Sequence, residues 1–261
     1  MALFLFFLAA MTDCGCVPEA LRASALGIAA HGERNLGVAS RHYDEALRAA
    51  PAQEPSAVQR ELILKLAPRL FTVKGEPFAL KDAAAILHPT QPWIAYHLFW
   101  EDDIDFPDDN DPCDHEVIWV RYTPQGRAEA TYTYYHGRIL KGGPRVDVQW
   151  GKHGSLPEGW RAMERVVEDQ RRTWQRLSTT GRQDAQSPLG RGWPLKFEGD
   201  WEAFTHFEGE VDLAAALRNG RLMAVSCLNN AVINRRFLRY NFAAKTEWPE
   251  EACAPAPRIT R

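Results

Sequence analysis

The chain has 261 residues, with 31 basic and 34 acidic side chains, a formal net charge of −3 and 45% hydrophobic residues. This is the composition of an ordinary folded chain, long enough for one large domain or two small ones. Scattered basic residues at near-zero net charge exclude an electrostatic grip on nucleic-acid phosphates, and no apolar stretch reaches the ~20 residues that span a bilayer.

Ala2 to Met11 reads ALFLFFLAAM, about the length of a signal-peptide apolar region, and Cys14 and Cys16 follow directly. Residues 1–16 are therefore read as a signal or lipoprotein leader, with a lipidated Cys14 or Cys16 as membrane anchor. The protein is expected to be exported: periplasmic, anchored or secreted. In an oxidising compartment Cys227 and Cys253 are candidates for a disulfide, although sequence alone does not fix pairing.

Residues 17–55 read as a helical extension and linker. Ala, Leu, Arg and Glu are abundant there, and the Leu36, Tyr43, Leu47 stripe ends at Pro51. Residues 56–248 are predicted to form a mainly β domain, a β-sandwich with peripheral helices. Leu62–Leu87 reads as one or two strands, then a short helix over Lys81–Leu87. Trp93–Trp100 is aromatic and β-prone, and Glu116–Tyr122 is apolar on both faces, as a strand inside a sandwich would be. Ala130–Tyr135 alternates, and Gly142-Gly143-Pro144 is read as a turn into the strand Arg145–Trp150. Such closely spaced strands favour the sandwich. Further on, the pattern predicts a helix over Glu158–Leu177 and an exposed loop over Ser178–Gly192. Strands over Trp201–Phe207, Leu222–Ser226 and Val232–Phe242, a helix over Asp212–Arg218 and a flexible tail at 249–261 complete the reading.

Between two of the aromatic segments the chain reads EDDIDFPDDNDPCDHE, nine carboxylates in the sixteen residues from Glu101 to Glu116. Such density repels itself unless solvated or neutralised by cations. Asp114 and Glu116 stand two apart at a strand start, so both point to one face. With Asp103 and Asp111 from the preceding loop they make a candidate oxygen-ligand set for a divalent metal ion, Ca²⁺, Mg²⁺ or Mn²⁺ rather than Zn²⁺. An EF-hand is excluded, because a loop from Asp103 puts Pro107 at a ligand position and lacks the glycine of the sharp turn. His115 points to the opposite face and reads as a packed residue. His136 and His153, each at the end of a strand and before a glycine, are candidate catalytic acids or bases. Ser155 is in no nucleophile elbow, and no glycine-rich phosphate loop is present.

The order of an aromatic strand (IAYHLFW), an acidic loop and DPCDHEVIWVRY resembles the core of the necrosis- and ethylene-inducing-like proteins, whose hallmark is G-H-R-H-D-W-E before an apolar strand. On that resemblance Asp114 and Glu116 match the motif's Asp and Glu. Asp111 stands where a metal-binding His stands, Asp103 stands near an upstream metal-site Asp, and His115 replaces the Trp. LKLAPRLFTVKGEPFAL and WGKHGSLP are similar to segments of vacuolar-protein-sorting-type relatives of that fold, so the likeness covers roughly residues 62–157. It implies a sandwich whose metal helps recognise a polar lipid headgroup or a glycan, with Trp100 and Trp150 available to stack on a sugar. Two alternatives stand beside this reading: a metal-dependent hydrolase of a phosphoester or glycan, and a structural envelope protein in which the cation pins the loop.

Overall fold

Two helices open the computed structural model, which describes residues 15–104, 114–179, 196–218, 221–240, 242, 245 and 247–253. Helix α1 (Pro18–Gly32) starts on a proline whose missing N–H costs nothing there, and α2 (Leu36–Ala49) starts on Asn35, whose side chain accepts the Val38 N–H. They form a hairpin. Helix α3 (Ala57–Lys65) follows a reciprocal capping box between Ser56 and Gln59. The strands are β1 (Arg69–Val73), β2 (Leu80–Leu87), β3 (Trp93–Trp100), β4 (Asp114–Tyr122), β5 (Ala128–Tyr135), β6 (Arg138–Val148) and β7 (Ser155–Glu158). After them come α4 (Glu164–Thr179), α5 (Trp201–Phe204), β8 (Phe207–Val211), α6 (Leu213–Arg218), β9 (Leu222–Val225), α7 (Asn229–Phe237) and α8 (Glu250–Cys253).

The strands form one curled mixed sheet, a half-barrel, in the order β8-β1-β6-β5-β4-β3-β2-β9, with β7 paired to β6. The pairs β1/β6 and β2/β9 are parallel, and the others are antiparallel. This overturns the expected two-sheet sandwich. The reason lies in β3, whose eight residues are all buried. Trp93, Ala95 and Phe99 face a core closed by Val232, Ile233 and Phe237 of α7 and by Phe242 and Trp248. Ile94, Tyr96, Leu98 and Trp100 face a second core closed by Ile63 of α3, Leu213 and Leu217 of α6 and the inner face of β6. Burial on both faces requires a cover on each side, and helices with the sheet's own curl supply it where a second sheet was expected.

Several elements depart from the sequence reading. Lys81–Leu87 is strand, not helix, since its small residues Ala83, Ala84 and Ala85 are wholly buried between β3 and β9. Val232–Phe242 is largely helix, not strand; its Val and Ile pack as the apolar stripe of α7. Trp201–Phe204 is a helical turn capped by Asp200, and the strand begins only at Phe207. Gly142 and Gly143 do not turn the chain but lie inside β6, where a Cβ on Gly142 would overlap the Glu158 carbonyl oxygen of β7. Most of the loop expected over 178–192 and all of the tail beyond 253 lie outside the described residues.

Cys227 pairs with Cys16, not with Cys253, across a sequence separation of 211 residues. The Cys16 thiol is thereby committed and cannot carry an acyl chain; Cys14 lies outside the described residues. Cys253 is also disulfide-bonded. Among the described residues no helix is long and apolar enough to cross a membrane.

Replacing Gly142 by Ala is expected to force β7 away from β6 and destabilise the fold by about 1–3 kcal/mol, the usual range for overpacking. Urea unfolding followed by tryptophan fluorescence checks it, and an unchanged midpoint would refute the close approach.

Candidate functional site: a buried acid cluster

Strand alternation makes the site. Asp114 and Glu116 are two apart on β4, about 6.6 Å of strand rise, and both point to the face that carries Trp100 and Leu98 on β3. His115, between them, points the other way. It is buried, stacks on Phe99 with ring centroids 4.7 Å apart, and meets His97 at 2.9 Å. His97 Nε2 faces the Asn229 Oδ1 acceptor of α7, so it carries the proton and donates. Burial holds the His97 pKa down at about 4, so the ring is neutral, and its Nδ1 accepts from His115 Nε2–H. The packing role expected of His115 holds, with a polar thread added to it.

The turn after β6 brings the next element. His153 N–H bonds to the Gln149 carbonyl, and His153 sits in the left-handed region at φ 55°, which throws its ring inward. The ring is fully buried and stacks on Trp100 at 4.4 Å. His153 Nδ1 lies 3.0 Å from Asp114 Oδ2, and its Nε2 lies 3.1 Å from Glu76 Oε1. Two carboxylates on two ring nitrogens require both to carry hydrogen, so His153 is an imidazolium. Burial opposes that charge, but Glu76 and Asp114 outweigh it and lift the pKa to about 10. Glu76 in turn accepts the Gly151 N–H at 3.0 Å, while Trp150 Nε1–H donates to Gly75 O. Segment 101–104 closes on this turn through the bond from Ile104 N–H to Gly151 O.

Glu116 is also buried, and Lys245 Nζ donates to its Oε1 at 3.4 Å. Its Oε2 has no hydrogen-bond partner among the described residues. Burial, opposed by Lys245 and reinforced by Asp114, pushes the Glu116 pKa up to about 8. Asp103 rises to about 8 as well, through burial and Asp114, against the pull of Lys152, His153 and Lys245. Asp103, Asp114 and Glu116 thus form one electrostatic unit. Asp111 lies outside the described residues.

His136 has a separate carboxylate. Its Nδ1 meets Asp169 of α4 at 2.9 Å, its ring stacks on Tyr135, and the Tyr135 hydroxyl donates to the same Asp169 oxygen. His153, with both nitrogens engaged, offers no basic nitrogen for proton abstraction. Trp100 spends a face on His153, and Trp150 is buried against Phe197, so neither is an exposed sugar platform.

Among the described residues, no group of three His, Cys, Asp or Glu side chains is disposed to close around a metal ion. The donor chemistry that remains among the described residues is hard oxygen: one Glu116 oxygen without a hydrogen bond, with Asp114 acting on the same carboxylate, and no imidazole nitrogen from His153. That set suits a partly hydrated Mg²⁺, Mn²⁺ or Ca²⁺, which binds through one or two carboxylates and keeps waters. It does not suit zinc. Sequence reasoning missed Glu76 and Lys245. Glu76 sits in the GEPFAL stretch without any motif to mark a role, and Lys245 lies 129 residues beyond its partner.

Comparison with protein-family models, curated proteins and solved structures returns no match to this chain.

Three shifts within the cluster act in one direction on stability. Asp103, Glu116 and His153 have folded values raised above the ordinary 3.8, 4.5 and 6.5 to about 8, 8 and 10. A raised folded pKa contributes stability that is complete below the ordinary value and lost as pH climbs through the folded one. The melting temperature in chelator is therefore expected to fall steadily from pH 5 to pH 10. A rise over that range would contradict the burial of this cluster.

Proposed function

We propose that the chain is an exported protein that binds a divalent cation of the Ca²⁺, Mg²⁺ or Mn²⁺ class at the acid cluster, with Glu116 and its strand neighbour Asp114 as the protein oxygens and water completing the shell. The observation that carries the reading is Glu116 Oε2, a buried carboxylate oxygen with no hydrogen bond among the described residues. An unsatisfied buried acceptor is costly, and here the Asp114 carboxylate bears on the same group. A cation relieves both the unmet acceptor and the Asp114 repulsion that adds to burial in raising Asp103 and Glu116. The Cys16–Cys227 bridge supports an oxidising compartment. By the order of its acidic loop and strand, such a cation would help to hold a polar lipid headgroup or a glycan, leaving a coordination position for a ligand oxygen.

The hydrolase alternative has less support, because His153 is clamped between two carboxylates and His136 is tied to Asp169. A purely structural cation would satisfy the same Glu116 oxygen; binding of phospholipid vesicles or glycans that chelator abolishes separates recognition from scaffolding.

Metal content of the purified full chain, measured by mass spectrometry, is expected to be about one equivalent of a divalent ion. The Asp114→Ala, Glu116→Ala double variant should lose it while keeping its circular-dichroism spectrum. An unbound protein whose melting temperature does not move on adding Ca²⁺, Mg²⁺ or Mn²⁺ would sink the reading.

A further inference from the structure

We propose that docking of the α1–α2 hairpin and occupancy of the acid cluster are coupled through Lys245, so that the disulfide-tethered hairpin regulates cation affinity; this rests on the cation reading above. The hairpin meets the rest of the protein chiefly at α7: its buried Ala20, Ala39, Tyr43 and Ala46 pack with Cys227, Leu228 and Ala231. The Cys16–Cys227 bridge fixes it there. Tyr43 receives the Asn234 amide at 2.9 Å, and Asp44 pairs with Arg235.

From this dock a continuous set of hydrogen bonds runs to the acid cluster. Ser24 of α1 donates to Glu247 Oε1 at 2.9 Å, and Glu247 Oε2 accepts the Asn230 N–H at 2.8 Å. The Asn230 side chain donates to the Lys245 carbonyl at 2.6 Å, and Lys245 Nζ reaches Glu116 Oε1. A second line starts one residue earlier. Asn229 binds His97, which binds His115, the residue between Asp114 and Glu116. Lys245 and Glu247 are therefore held by α1 and α7 together, and the position of Lys245 decides whether its ammonium stays on Glu116.

A bound cation and Lys245 compete for one carboxylate and repel each other. A docked hairpin keeps the competitor in place; a released hairpin lets it leave, and the site tightens. Linkage makes the effect reciprocal, so a bound cation loosens the hairpin.

The test is titration of the full-length chain with Mn²⁺ and Ca²⁺ by calorimetry. It uses the oxidised protein, the Cys16→Ser/Cys227→Ser variant, Ser24→Ala, Lys245→Met, and Lys245→Met combined with each. Coupling predicts about tenfold tighter binding on removing the disulfide, within the usual span of such effects, and a smaller gain for Ser24→Ala. Lys245→Met should tighten binding by itself and make both other changes silent. Saturating cation should also speed amide exchange in α1 and α2 of the oxidised protein while β3 and β4 stay protected. Equal affinities with and without the disulfide, or gains that add to that of Lys245→Met, would overturn the coupling and leave the cation site standing. Cation binding by none of the proteins would overturn the cation reading itself. Should the disulfide variant not fold, Ser24→Ala with Lys245→Met completes the same cycle.

Discussion

Burial of β3 and β4 on both faces is the constraint from which the rest of the structure follows. A strand with eight buried residues in succession has no side to give to water, so each face must be roofed. On one side the roof is α7 with Phe242 and Trp248; on the other it is α3, α6 and the curl of the sheet itself. The polar residues in these strands are then trapped, and each must find a partner inside. Tyr96, His97, His115, Asp114 and Glu116 carry polar groups into that interior, and most of their partners are drawn from other elements of the chain.

The partners divide by face. On the α7 side the polar groups thread together by hydrogen bonds, from His115 through a neutral His97 to Asn229. On the concave side they are charged, and the charges are largely balanced from within. His153 sits between Asp114 and Glu76, and Lys245 sits on Glu116. Buried ion pairs of this kind offset their own desolvation and add little net stability, but removing one partner is severe because it strands the other. Asp103 also feels the charges of Lys152, His153 and Lys245. The site is thus close to neutral before any ligand arrives, and small displacements of one internal cation count for much.

How far this was legible in the sequence depends on the range of the signal. Trp93–Trp100 coincides with β3, and the placing of Asp114 and Glu116 on one face with His115 on the other follows from strand alternation alone. Local signals failed where burial overrides propensity. Ala-rich Lys81–Leu87 looks helical, yet small side chains are what a strand packed between two neighbours accommodates. Val232 and Ile233 look like strand, yet they serve the buried stripe of a helix. The sandwich expectation failed for a related reason: two-sided burial says that a strand is covered, not what covers it. Glu76 and Lys245 were invisible because their roles come from contacts across 77 and 129 residues, and no spacing rule reaches that far.

The Cys16–Cys227 bridge has a consequence for how the molecule is made. Its two sulfurs are separated by 211 residues, so a chain that emerges N-terminus first presents Cys16 long before its mate. Helices α1 and α2 can form at once from local contacts, but their apolar side has nothing to rest on until α7 arrives near the end of the chain. The same delay governs β1 and β2, whose parallel partners β6 and β9 come much later. Assembly is therefore dominated by late, long-range closures, which are slow by their topology. The first thirty or so residues after Cys16 spend that interval as an unattached hairpin with a reactive thiol at its base, the state in which a chaperone or an oxidase would meet them.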